Sequence, residues 1–137
     1  MRKGETMVDR YLFKAKRIDN GEWVVGYLYR LSENNPPFIM LRKYGESYEV
    51  DEHTICCCTG LKDKNGTLIW ENDIAKDEKG SLYKAFWQNN YYQFSWICVK
   101  SEIFQSGIKW DLYVMRSFEI EVIGNIFDNP ELLESEE

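Results

Sequence analysis

Apolar and polar positions in this chain alternate over short runs, and no long segment repeats its apolar residues every three to four positions. In residues 11–18, YLFKAKRI, Phe13 and Ala15 fall on one side and Lys14 and Lys16 on the other. A period of two places successive side chains on opposite faces of a strand. Residues 22–30, EWVVGYLYR, put Trp23, Val25, Tyr27 and Tyr29 on one face. Asp19-Asn20-Gly21 between the runs predicts a hairpin, because Asn and Gly accept positive φ. Asn34-Asn35-Pro36-Pro37 then breaks the chain. FIML (38–41) and SYEV (47–50) are short strand candidates around a turn at Lys43-Tyr44-Gly45-Glu46, and Thr54 to Cys58 can continue extended.

The stretch CCCTGLKDKNGTLIWENDIAK, residues 56–76, is the most distinctive. Asp63-Lys64-Asn65-Gly66 predicts a turn, with Asn65-Gly66 at the central positions of type I′. Leu68, Ile69 and Trp70 resume an apolar run, Glu71-Asn72-Asp73 interrupts it, and Ile74 and Ala75 continue it. Asp77-Glu78-Lys79-Gly80 is a further turn. SLYKAFW (81–87) and YYQFSWICV (91–99) predict a third hairpin around Gln88-Asn89-Asn90. Alternation sets Tyr92, Phe94 and Trp96 on one face, expected in the core, and Tyr91, Gln93 and Ser95 on the other. WDLYVMR (110–116) and FEIEVIG (118–124) predict strands; residues 100–109 predict nothing definite. Asn129-Pro130 followed by Glu131, Leu132 and Leu133 predicts one short terminal helix, with a capping residue, Pro at the first helical position and an acidic first turn. Many short strands between turns predict a mainly β small barrel or sandwich, as one domain over residues 1–137 or two small packed lobes.

Composition agrees with a packed core. The chain has 137 residues, 44% hydrophobic and 15% aromatic, with five Trp, nine Tyr and seven Phe. Aromatics suit pleated surfaces, and the apolar content argues against disorder. The formal net charge is −6, which disfavours a phosphate-neutralising protein. The acidic end, Glu131, Glu134, Glu136 and Glu137, reads as a solvated terminus. No apolar run approaches the ~20 residues that span a bilayer. MRKGETMVDR at the N-terminus has basic residues without an apolar stretch behind them, so the expected compartment is the cytoplasm, with no membrane partner.

Candidate chemistry is thin. Cys56, Cys57 and Cys58 are adjacent, and on a strand Cys57 points away from the other two. Zinc sites draw on spaced pairs, so no metal and no cofactor is expected, and the thiols read as small, half-buried strand residues. His53 with Cys58 would need a turn between them to act as base and nucleophile. Glu71 and Asp73 flank Asn72, with Asp63 on the preceding turn; together the three carboxylates could hold a divalent ion for hydrolysis. In turns they would instead accept backbone N–H bonds, and Asn72 suits a positive φ. Gly60 and Gly66 belong to no phosphate-binding pattern. Trp87, Tyr91, Tyr92 and Trp96 form the candidate binding surface, for a peptide or for stacked bases.

TGLKDKNGTLIWENDIAK, residues 59–76, resembles the signature of the YopX family of phages and prophages. Thr59, Gly60, Leu61, Asp63, Lys64, Asn65, Gly66, Ile69, Glu71, Asp73 and Ile74 carry the match. FKAKRIDNGEWVVGYL (13–28) is similar to the family's opening hairpin, and EVIGNIFDNPELL (121–133) to its closing segment. The sequence departs at Asn72, where the family usually has Gly, and at Cys56-Cys57. The resemblance implies a largely β fold with an SH3-like barrel, its core around residues 59–126, with added hairpins. It implies turn-forming and core roles for the signature residues and supplies no activity. The leading expectation is therefore a non-enzymatic interaction module that binds a protein or self-associates. A nucleic-acid-binding barrel, and a metal-assisted hydrolase using Asp63, Glu71 and Asp73, are the alternatives.

Overall fold

The computed structural model describes residues 11–41, 45–111 and 118–134. The strands lie in two antiparallel sheets, and the chain divides into two compact units, residues 1–60 and 61–137.

In the first unit, β1 (Phe13–Lys16), β2 (Trp23–Tyr29), β3 (Phe38–Met40) and β4 (Ser47–Glu49) form a meander. Then β5 (Cys56–Lys62) pairs with the free side of β1 and runs on past the unit boundary at Gly60. The predicted opening hairpin forms in register Phe13↔Gly26 to Lys16↔Trp23. Its inward face carries Ala15, Val24 and Leu28, which pack with Phe13, Ile39, Val50 and Ile55. The aromatic face of β2 is the outer one: Val25 and Tyr27 are exposed, and the Lys14 ammonium lies 4.7 Å from the Trp23 ring centre. Position 26 falls on the inner face, and glycine is required there because a Cβ would overlap the Met40 carbonyl of the neighbouring strand. The meander curls back on itself. Arg17 bridges to Val50, Ile18 N–H donates to Glu49 O at 3.0 Å and Asp51 N–H to Lys16 O at 2.8 Å. A 3₁₀ turn, Glu52–Thr54, leads into β5, with the Asp51 side chain accepting from His53 N–H.

In the second unit, β6 (Leu68–Trp70) follows the Asp63 turn and lies beside β5. The other sheet has the order β10-β9-β8-β7-β11, from β7 (Asp73–Lys76), β8 (Leu82–Gln88), β9 (Gln93–Lys100), β10 (Lys109–Asp111) and β11 (Glu121–Asn125). Its core is Ile69, Ala75, Tyr83, Ala85, Trp96, Cys98 and Ile120, with Phe94, Phe104, Trp110 and Phe118 packed against it.

Two expectations need correction. The region around 59–126 is not a closed barrel: its sheet is open, and among the described residues β10 and β11 are its edges. The reason is local. β10 is three residues long, and the register of β11 shifts between Val122 and Gly124, so neither edge offers a regular ladder to close on. The predicted C-terminal helix is a four-residue 3₁₀ turn, Pro130–Leu133, too short to complete α-helical hydrogen bonding. The strand predicted over 118–124 begins at Glu121, after Glu119 with φ 50. Residues 112–116 of the strand predicted over 110–116 lie outside the described residues, as do Lys43 and Tyr44 of the predicted turn.

Candidate functional site

The signature stretch is built around backbone capping. Asp63 Oδ1 accepts from Asn65 N–H and Thr67 N–H, both at 2.9 Å, and Oδ2 accepts from Val122 N–H at 2.8 Å. The turn is not type I′. Asn65 has no positive φ, whereas Gly66 has φ 83, which is a type I turn followed by a left-handed Gly. The Asp63 carboxylate selects that form by collecting the amides two and four residues on. Asn65 Nδ2 reaches Glu121 Oε2 at 3.1 Å, and Lys64 N–H donates to Ile120 O at 3.1 Å. Thr59 and Ile69 are buried, Gly60 has φ 79 within β5, and Leu61 is exposed.

Glu71 and Asn72 form the tight turn between β6 and β7. Asn72 has φ 72; its N–H donates to Ala85 O at 2.8 Å and its carbonyl accepts from Ile126 N–H at 3.1 Å. Asp73 is 3% exposed, and its Oδ2 accepts from Trp70 N–H at 2.8 Å. Asp63 thus serves two segments that converge on β11, and Asp73 ties β6 to β7. Among the described residues no three His, Cys, Asp or Glu side chains come together in a metal-binding arrangement.

The cysteines lie in the sheets. Cys56 and Cys58 are buried, Cys57 is half-buried between them, and Cys98 lies in the β9 core, where burial pushes its thiol pKa up. His53 is exposed in its 3₁₀ turn, on a separate cleft of the first unit with Arg30 and Glu52.

The β8–β9 hairpin carries the aromatic load. Residues Tyr83, Ala85 and Trp87 pair with Cys98, Trp96 and Phe94. Tyr83 and Trp96 are the inner part of this row, at 0% and 1% exposure. Trp96 is therefore core and is withdrawn from the candidate surface. Tyr83 O–H donates to Asp77 Oδ2 at 2.8 Å, and burial first, then this bond, raises its pKa. The outer end of the row is open. Trp87 is 41% exposed and meets Phe94 edge-on at 5.0 Å, and Tyr91 and Tyr92 in the turn are 68% and 83% exposed. Tyr92 leaves the expected core face because β9 begins at Gln93 and Tyr92 has φ 51.

Beside this tip lies a cleft of about 370 Å³, lined by Gln88, Tyr91, Gln93, Lys109, Trp110 and Asp111. Sequence reasoning found Tyr91 and missed the rest. Ser95, opposite Phe86, is buried; its hydroxyl donates to Gln88 Oε1 at 2.9 Å and accepts from Gln93 Nε2 at 3.2 Å. Two glutamines at the ends of adjacent strands, with a Ser two residues along, are the signal that points to the pairing.

The fold and this site define a class: a mainly β, two-sheet protein with large aromatics exposed at the end of one hairpin. The sequence model of the YopX protein family matches residues 9–134, and the chain belongs to that family. No curated protein is a significant match to the chain.

Proposed function

We propose that this chain is a non-catalytic binding module that takes a protein partner at the open end of the β8–β9 hairpin. One observation carries the reading: Trp87, Tyr91 and Tyr92 stand 41%, 68% and 83% exposed within six residues of one hairpin. Large rigid aromatics left in water at one place are the usual anchors of protein interfaces. The reading takes a phage or prophage origin and action in the bacterial cytoplasm as part of the proposal, prompted by the family resemblance.

The alternatives gain less support. A phosphate backbone calls for clustered cations, and among the described residues Lys109 alone lines the cleft as a cation, with Asp111 beside it. A hydrolase would need Asp63 free to hold an ion, yet both its oxygens accept backbone amides.

The test is capture from bacterial lysate on the immobilised chain, run beside the double variant Tyr91→Ser, Tyr92→Ser. Specific capture by the parent that falls about tenfold or more in the variant, a loss of roughly 1.4 kcal/mol, supports the reading. Equal capture by both chains, or no capture together with a strictly monomeric sedimentation profile, overturns it. A salt-sensitive DNA gel shift would turn the assignment to nucleic acid.

A further inference from the structure

The exposed tip accounts for three aromatics but not for the amide pair next to it. Gln88 and Gln93 face each other as the last cross-strand pair before the turn. Ser95 is 1% exposed, and its single hydroxyl proton is committed to Gln88 Oε1, while Gln93 Nε2 donates to Ser95 Oγ. A side-chain amide carries two N–H donors and one carbonyl. The relay through Ser95 uses the carbonyl of Gln88 and one N–H of Gln93. It leaves the opposite pair of groups, the Gln88 Nε2 donors and the Gln93 Oε1 acceptor, and among the described residues neither has a partner. Both side chains line the cleft of about 370 Å³. A donor group and an acceptor group are thus left over on two cross-strand neighbours, and the serine that both amides meet is buried.

We infer that this cleft binds one residue of an extended peptide, Gln88 Nε2 donating to its carbonyl and Gln93 Oε1 accepting from its N–H. In an extended chain the N–H and C=O of one residue point the same way, as in the doubly bonded pairs of an antiparallel ladder. A donor and an acceptor on two cross-strand neighbours are their complement. Tyr91, 68% exposed, lines the cleft and supplies apolar surface for a flanking side chain. Charge selects a peptide over a nucleic acid: Lys109 and Asp111 are two apart on β10 and share a face, so a polyanion meets a carboxylate where it meets the ammonium. The inference rests on the binding reading above and deepens it. The partner presents an extended segment and is recognised through its backbone, not through an acidic or basic motif.

The experiment is an NMR titration of the isotope-labelled full chain with acetyl-alanyl-valyl-alanine N-methylamide, following the side-chain NH₂ signals of Gln88 and Gln93 and the Trp110 indole. Saturable shifts at these groups are expected. They weaken about tenfold or more when the valine N–H of the probe is methylated, and in the Gln93→Leu chain. The wild-type comparison of the two probes needs no variant to fold. No saturable response, an equal response to the methylated probe, or the same shifts with adenosine or maltotriose in place of a peptide response overturns the inference. Lysate capture separates the two failures. If the amide response is absent but capture still depends on Tyr91 and Tyr92, this inference alone falls. If capture is indifferent to both tyrosines, the reading of the tip falls whatever the titration returns.

Discussion

Asn72 illustrates how one residue is chosen by backbone geometry. Its φ of 72 costs an ordinary L-residue about 1 kcal/mol or more, and its amide and carbonyl are both held by neighbouring backbone. Asn72→Ala is expected to lower stability by about 1 kcal/mol, while Asn72→Gly stays within about 0.5 kcal/mol of the parent; urea denaturation of the three chains checks the order. Tyr83 makes a pH prediction. Burial and the bond to Asp77 raise its pKa, so the folded state keeps the phenol proton that the unfolded chain loses near the ordinary value of about 10. The unfolded state then binds fewer protons, and stability falls as pH rises through and above that value. This contribution is fully present below pH of about 10. Thermal melts between neutral and strongly alkaline pH should show a decline that is shallower in Tyr83→Phe; parallel declines would refute the assignment.

Among the elements, two turns follow one rule. Asp63-Lys64-Asn65-Gly66 and Asp77-Glu78-Lys79-Gly80 each place the Asp Oδ1 on the amides two and four residues ahead and a Gly at positive φ in the fourth position. The remaining Oδ2 then reaches outside the turn, Asp63 to Val122 N–H and Asp77 to the Tyr83 hydroxyl. These carboxylates are therefore junctions between turn and sheet. Asp63→Ala leaves three amides without their charged acceptor and is expected to cost about 2 kcal/mol. Added divalent metal should leave the parent's melting temperature unchanged if capping is the whole role of this carboxylate. Both turns were legible as turns from Asp, Asn and Gly. The type of the first reads wrongly from sequence: Asn65-Gly66 predicts type I′, whereas the accepting Asp63 carboxylate favours the form with only Gly66 at positive φ.

For the molecule as a whole, the open hairpin end separates binding from stability. Tyr91 and Tyr92 are exposed and belong to neither core cluster, so Tyr91→Ser with Tyr92→Ser is expected to change unfolding free energy by no more than about 0.5 kcal/mol per site. Trp96→Ala, by contrast, empties a core position and should cost about 3–5 kcal/mol. Circular dichroism melts of both variants give the contrast directly; a tip variant that unfolds like the Trp96 variant would make the tip structural.

The amino-acid sequence by itself determined the β character, the opening hairpin, the turns at Asp63–Gly66 and Asp77–Gly80, and family membership. Each of these follows from short-range alternation, from residues that accept special φ values, or from an ordered motif. The tertiary structure alone decided which faces are inside. Alternation names two faces of a strand without ranking them, and so β2 buries Val24 and Leu28 and turns Tyr27 outward. Sheet closure was likewise undecided, since it depends on what lies beyond each edge strand. The separation of Trp96 from Tyr92 came from where β9 begins. The glutamine pair above Ser95 came from cross-strand register, and register is a property of two strands together, which no single stretch of sequence carries.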